Sequence, residues 1–294
     1  MFESFLIILG VLLPAVLLAS IGYLWARRGS EYPVPFVTTL VINIGLPALL
    51  FHTLATSSVA LTSLGTMALA AIVVHIVFTT VAVAMLRKAG KDWRLSVALV
   101  VGNTGNLGLP LCLLAFGEEG LAYAMAFFAV QCVLMFSLGD AIYAGKFSLS
   151  SLYRSPVLIA VYAGVAVRLT EISLPKVLMD TTDLLSGFVI PIMLITLGVS
   201  LASLKVTQLR ECLFWSMVRT GVAIVIGFGV AGLFQLEGVA RGVLIIEATV
   251  PVAVFNFLLA QKHGRDSSEV SGLIVITHLS ALLYLPIVLH LVLL

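Results

Sequence analysis

Long apolar runs separated by short polar stretches make up almost the whole chain. Ten can be drawn, near residues 4–26, 34–55, 64–86, 95–116, 120–143, 156–170, 183–204, 211–234, 239–261 and 270–293. A helix of roughly 20 residues spans the ~30 Å hydrocarbon core at about 1.5 Å per residue. The pattern therefore predicts an all-α chain of ten membrane-crossing helices. The sixth run is short, with an end anywhere from Arg168 to Pro175. The first run follows Glu3 and precedes Arg27-Arg28, the reverse of a cleavable signal's charge order, so it is expected to be a first transmembrane helix.

The fourth run is interrupted in the middle, at Val100-Val101-Gly102-Asn103-Thr104-Gly105-Asn106-Leu107-Gly108-Leu109-Pro110. Glycine is entropically costly in a helix, and Pro110 lacks an N–H and clashes with the preceding turn. Unwound backbone at membrane depth survives only where protein or a water-filled cavity satisfies it. The ninth run carries a companion break at Glu247-Ala248-Thr249-Val250-Pro251. Shifting the second half back by 144 residues lays Pro191 on Pro47. A shift of 145 lays Leu258-Leu259-Ala260 on Leu113-Leu114-Ala115, Thr249 on Thr104 and Pro251 on Asn106. Five helices per half is odd, so the second repeat is expected upside down. The predicted halves are 1–145 and 146–294, two inverted five-helix repeats with crossed broken helices, the layout of a secondary transporter.

Composition agrees with the pattern. Of 294 residues, 61% are hydrophobic and 10% charged, with a mean hydropathy of +1.18. Soluble domains carry roughly 25% charged residues, so this is an integral membrane protein with little soluble material. The net charge of +2 gives no pointer to nucleic acid. Placing both termini outside puts Arg27, Arg28, Arg87, Lys88, Lys91, Arg94, Lys146, Arg154, Lys205, Arg210, Lys262 and Arg265 in cytoplasmic loops, as the positive-inside rule asks. Only Arg168, Lys176 and Arg241 fall outside. Asp140 falls at the cytoplasmic end of the fifth run. Cys112, Cys132 and Cys212 are expected to pack as small hydrophobes without disulfides. No zinc-protease motif, nucleophile elbow or phosphate loop occurs, so an enzyme is not expected.

Glu247 and Arg219 are the two charges placed deep in the apolar runs. A charge near the bilayer centre costs on the order of 2.5–3.5 kcal/mol on insertion scales and should face a cavity or a partner. Glu247 is either a ligand for a coupling sodium ion or proton beside the break in run four, or a structural carboxyl capping the second half-helix. Arg219 either pairs with Glu247 or a substrate carboxylate, or snorkels to the cytoplasmic interface. It falls on His75 at the 144-residue shift. Asn103, Thr104, Asn106 and Thr249 offer amides and hydroxyls at the breaks, where half-helix N-termini favour an anionic group. Asn43, Gln131 and Asn256 bond either a neighbouring helix or a ligand. His52 and His278 read as interface or packing histidines. Phe127, Phe128 and Tyr123 are either site walls, which would favour an aromatic acid, or core and lipid-facing residues.

Several of these stretches resemble the auxin efflux carrier family, the bacterial and archaeal relatives of the plant auxin exporters. They are Asn43-Ile-Gly-Leu-Pro47, Gly102-Asn103-Thr104 through Gly108-Leu109-Pro110, Val130-Gln131-Cys132, and Glu247-Ala-Thr-Val-Pro251 followed by Leu259-Ala260-Gln261-Lys262. The resemblance implies a fold like the sodium/bile-acid symporters and sodium/proton antiporters. Runs four and nine would cross in a mobile transport domain with runs three, five, eight and ten. Runs one, two, six and seven would form a scaffold and a homodimer contact. Asn103, Thr104, Pro110, Thr249 and Pro251 would line the substrate site, with Asn43 and Gln131 at its rim. Such carriers move weak organic acids, auxin in plants and dicarboxylates such as malate or malonate among bacterial relatives. This chain lacks the plants' long hydrophilic loop and has Glu247 where they have glutamine, which points to cation coupling. The expected function is alternating-access transport of a small organic anion across the plasma (cell inner) membrane, with no cofactor beyond a coupling sodium ion or proton. The alternative is a receptor that keeps the fold without turnover.

Overall fold

A computed structural model describes residues 2–139, 141–142, 155–264 and 267–293. Asp140, Lys146, Arg154 and Arg265 lie outside the described residues. Among the described residues every regular element is a helix, apart from one isolated backbone bridge. In order, α1 is Phe2–Arg27, α2 is Val34–Thr56 with a π-turn at Val41–Gly45, and α3 is Leu61–Lys88. A 3-10 turn, Trp93–Leu95, leads into α4, Ser96–Val100; a π-turn, Thr104–Gly108, then leads into α5, Leu109–Leu134. There follow α6, Pro156–Thr170, α7, Lys176–Gly187, and α8, Val189–Ser203. The chain closes with α9, Leu209–Leu233, α10, Gly238–Thr249, α11, Phe255–Lys262, and α12, Ser268–Leu293.

Seven helical stretches among the described residues are long and apolar enough to cross a membrane, against ten predicted runs. The difference has three local causes. Runs four and five join into one stretch, Thr104–Gly139, divided only at Gly117. Gly117 adopts φ 65°, ψ −154°, a conformation closed to residues with a Cβ, so the chain turns there. Run six is a single helix of 15 residues, ended at Thr170 by Glu171 in the left-handed region. Run nine is interrupted between α10 and α11. Run seven begins earlier than its apolar pattern suggests, because the amphipathic α7 precedes α8.

The surface is the reverse of a soluble protein's. Val177, Leu184, Met217 and Leu283 are each more than 70% exposed, as befits helices whose outer faces meet lipid. The core centres on α5 and α10, where Leu109, Leu111, Met125, Leu244, Ile245 and Ile246 are fully buried. Around it α3 packs on α5 and α9, α10 on α5, α9 and α12, and α2 on α6 and α7. Helices α1 and α8 touch backbone to backbone, since a Cβ at Gly22 would run into the Ile195 carbonyl and one at Gly198 into that of Ala19. All three cysteines are buried and free.

Candidate functional site

Two gaps in helical structure meet at the centre of the fold. Helix α4 ends at Val100 and Val101 is extended. Helix α10 ends at Thr249 because Pro251 forces Val250 into an extended conformation, φ −49°, ψ 148°. The extended pieces lie antiparallel, with Gly102 opposite Val252. Asn103 N donates to Pro251 O at 2.7 Å and Ala253 N to Val101 O at 3.0 Å. Gly102 is small because a Cβ there would stand 3.0 Å from Val250 Cγ2 and 3.4 Å from Arg219 Nη2. Pro110 is buried in the first turn of α5, where a missing N–H costs no helical bond.

Away from water, each backbone group released by a gap needs a partner, and side chains supply several. Gln131 Nε2 donates to Gly102 O at 2.8 Å and to Thr104 Oγ1 at 2.6 Å. Asn256 Nδ2 adds a second bond to Val101 O at 3.0 Å, and Thr277 Oγ1 accepts from Val252 N at 3.1 Å. Arg219 Nε donates to Leu99 O at 3.1 Å and its Nη1 to Thr249 O at 3.3 Å, while Tyr284 donates to Thr249 O at 2.7 Å. Arg219 thus closes the carbonyl ends of both α4 and α10, where helix polarity favours a cation. It is 1% exposed, over the Phe78 ring. This corrects two of the sequence readings of Arg219: it neither snorkels to the interface nor pairs with Glu247.

Glu247 is also 1% exposed, in the last turn of α10. Its Oε1 accepts a weak bond from the Cys112 thiol at 3.7 Å, and Oε2 has no hydrogen-bond partner among the described residues. The carboxyl presses on Gly108, where a Cβ would stand 2.7 Å from Oε1. The capping expectation is corrected too, because the described bonds to this carboxylate come from Cys112 and not from backbone N–H groups. The described hydrogen bond to the carboxyl comes from a thiol, and no group of three acidic, His or Cys residues that could hold a metal ion forms among the described residues.

Beside the crossing lies a cavity of about 120 Å³. Asn103, Asn106 and Gln131 line it, with Gly102 and Gly105. Thr104 and Thr249 are fully buried behind the wall, with Pro110 and Pro251. Thr249 Oγ1 bonds within its own helix to Ile245 O at 2.7 Å. Gln131 is therefore central and not at the rim. Asn43 lies on the exposed face of α2, bonded to Thr39 O, away from the cavity lining. Phe128 is in the wall, whereas Phe127 stacks on His75 and Tyr123 is buried in the core.

Sequence reasoning missed Thr38, Thr196 and Ser200, which add hydroxyls to the opposite wall. His278, read as an interface or packing histidine, accepts from Asn103 Nδ2 at 3.0 Å, and its Nδ1 bonds Ile274 O at 2.8 Å. Nothing in a chain with uniformly apolar helices marks which face of α8 or α12 looks inward. The only available signal was a polar residue in an apolar run.

The chain matches relatives along almost its whole length. A protein of Methanothermobacter thermautotrophicus described as "Uncharacterized transporter" is 28% identical over 295 residues, covering 94% of this chain and 95% of that one. A Methanocaldococcus jannaschii protein of like description is 24% identical, covering 94% and 96%. A Rhizobium meliloti protein described as "Putative malonate transporter" is 25% identical over 299 residues, covering 92% of each chain. The family model described as "Membrane transport protein" matches residues 7–148 and 142–289. With its apolar helices and paired gaps, this chain belongs to that membrane transport protein family.

Proposed function

We propose that the protein is a secondary carrier for a small organic acid, with the cavity at the paired gaps as its binding site. The observation that carries this reading is the position of the cavity: one wall is Gly102, Asn103 and Ala253 beside the antiparallel crossing, and the other is α2 and α8. A ligand held there touches two groups of helices that can move relative to each other, as alternating access requires. The reading takes the chain as ten crossings in two inverted repeats, 1–145 and 146–294. The packing of α1 on α8 and of α2 on α6 and α7 supports a scaffold distinct from the α3, α5, α9, α10 and α12 cluster, with the scaffold as the homodimer contact.

Both termini are placed outside, which makes the described state inward-facing. The cavity is lined by Thr38, Ser200 and Leu258, which lie toward the ends bearing Arg27-Arg28, Lys205 and Lys262. The amides of Gly105 and Asn106 precede the first helical bond of their turn, Leu107 N to Asn103 O, and favour an anion. No Lys or Arg is among the described lining residues, and Arg219 is spent on Leu99 and Thr249. Val37, Phe128, Met193 and Phe255 supply apolar walls. A singly charged acid with an apolar body, auxin-like in chemistry, therefore suits the cavity better than a dicarboxylate such as malonate or malate. Glu247 is the candidate coupling carboxyl, and its neighbours suit a proton better than sodium.

Uptake of labelled mono- and dicarboxylic acids into proteoliposomes, under imposed proton or sodium gradients, tests this for wild type and Glu247→Gln. Saturable uptake with counterflow is expected, together with loss of gradient-driven accumulation in the variant. Ligand binding without flux would favour a receptor on the same fold, and sodium-driven accumulation would overturn the proton assignment.

A further inference from the structure

A second cavity, of about 250 Å³, lies on the other side of Gln131, between α3, α4 and the end of α5. His75, Thr79, Thr80 and Ser96 line it, and Gln131 borders both cavities. The hydrogen bonds of His75 are mismatched in one protonation state. Nδ1 lies 2.7 Å from Ala71 O, a pure acceptor, so Nδ1 carries a proton. A neutral ring then turns a bare lone pair at Nε2 toward Gln131 Oε1, 3.4 Å away, itself an acceptor. Turning the Gln131 amide over does not help, because Oε1 would then face Gly102 O in place of Nε2. His278 makes the same Nδ1 bond to the carbonyl four residues back, yet its Nε2 faces a donor, Asn103 Nδ2. The neutral ring satisfies His278 and leaves His75 in conflict.

We propose that His75 is a proton-binding site coupled to the paired gaps: Nε2 takes a proton from water in the second cavity and donates to Gln131 Oε1, pinning Gln131 on Gly102 and Thr104. Loss of that proton sets two acceptors against each other and pushes the Gln131 amide off His75, which weakens its hold on Gly102 O and loosens the wall of the first cavity. The consequence for transport rests on the carrier reading above; the proton site itself does not. Glu247 is in the described lining of neither cavity, whereas His75 is in that of the second.

No described group competes for His75 Nε2. From α5 it faces Gln131 and the Phe127 ring, and from α4 it shares the cavity with Ser96. On α9, Arg219 is bonded to Leu99 O and Thr249 O, and on α10 the Glu247 carboxyl faces Cys112 and Gly108 rather than His75. Arg94 in the 3-10 turn pairs with Asp92.

The test is nitrogen-15 solid-state NMR of histidine-labelled protein in liposomes between about pH 5 and pH 8. The His75 signals are assigned by their loss in His75→Gln, or in His75→Met should that variant fail to fold. Expected is a His75 ring with both nitrogens protonated at the acidic end and only Nδ1 protonated at the basic end, with His278 carrying Nδ1–H alone throughout. A His75 ring with one proton at about pH 5 overturns the assignment, whether or not the protein transports. Exchange of labelled acid at equal pH on both sides supplies the second arm. Wild type is expected to vary roughly fivefold or more across that range, while a glutamine at 75 supplies a permanent donor and flattens the profile. A profile unchanged in His75→Gln but flat in Glu247→Gln would overturn the coupling. Absence of exchange in wild type itself would overturn the carrier reading, and the NMR result would stand.

Discussion

Arg219 and Tyr284 share one acceptor, the Thr249 carbonyl at the end of α10, and that sharing gives a prediction independent of the cost of burying a charge. Arg219→Leu removes the bonds to Leu99 O and Thr249 O and the contact with the Tyr284 hydroxyl, but orphans only Leu99 O, because Tyr284 still holds Thr249 O. An unpaired buried carbonyl costs about 1–3 kcal/mol, and removing a buried cation that has no carboxylate partner returns some of that cost. The single variant can therefore fall on either side of zero. Tyr284→Phe alone leaves Arg219 on Thr249 O and costs about 0.5–1.5 kcal/mol. The double variant orphans Thr249 O as well, so it should be less stable than the sum of the two by about 1–3 kcal/mol. The desolvation of the guanidinium appears in both arms of the cycle and cancels. At roughly 2–4 °C per kcal/mol, the excess is a drop of roughly 2–12 °C in the unfolding midpoint of detergent-solubilised protein. Losses that add to within about 0.5 kcal/mol would refute the shared-acceptor reasoning.

Three further outcomes follow from the same geometry. Gly108→Ala drives a methyl into the Glu247 carboxyl and should destabilise the protein by about 1–3 kcal/mol, with partial recovery in Gly108→Ala/Glu247→Ala; thermal unfolding reads both. Gln131→Leu strips Gly102 O of its described partner and should abolish uptake, whereas Asn43→Ala, on an exposed face, should leave uptake within about twofold of wild type. On the polar end of the helices Lys91 bridges Glu211 and Glu269, and the Glu211 bond raises its pKa from the ordinary 10.5. A raised pKa in the folded state means the bridge contributes fully at neutral pH and fades as pH climbs through and above that value. Lys91→Met should cost below about 1 kcal/mol at low salt and less at high salt, and the difference from wild type should shrink in alkaline unfolding curves.

Helix positions were the legible part of the sequence, because a run of apolar residues needs no partner to be recognised. The run at 4–26 became Phe2–Arg27 and that at 270–293 became Ser268–Leu293. The interruption at Val250 was legible for the same reason, because Pro251 acts on the backbone beside it wherever it sits, whereas the first gap falls at Val101–Asn103, ahead of Pro110. What a side chain faces was not legible. Soluble helices announce their inner face by amphipathic spacing, but here both faces are apolar, so Asn43 and Gln131 read alike, and one turned outward while the other became the hub of the crossing. Arg219 was misread because its partners are carbonyls freed by helix ends in two other segments, which no local pattern reports. His278 went unrecognised because its partner, Asn103, is 175 residues away.

The cavity is ringed by three wide helical turns: Val41–Gly45 in α2, Thr104–Gly108 before α5, and Met135–Gly139 after it, each contributing at least one lining residue. A π-turn stores one residue of slack in an otherwise tight spiral. Tightening such a turn to α geometry reels that residue into the adjoining helix, advancing it by about 1.5 Å and rotating it by about 100°. A register change of one residue at any of these turns would carry a lining residue with it, so the shape of the chamber is tied to the winding of the helices around it.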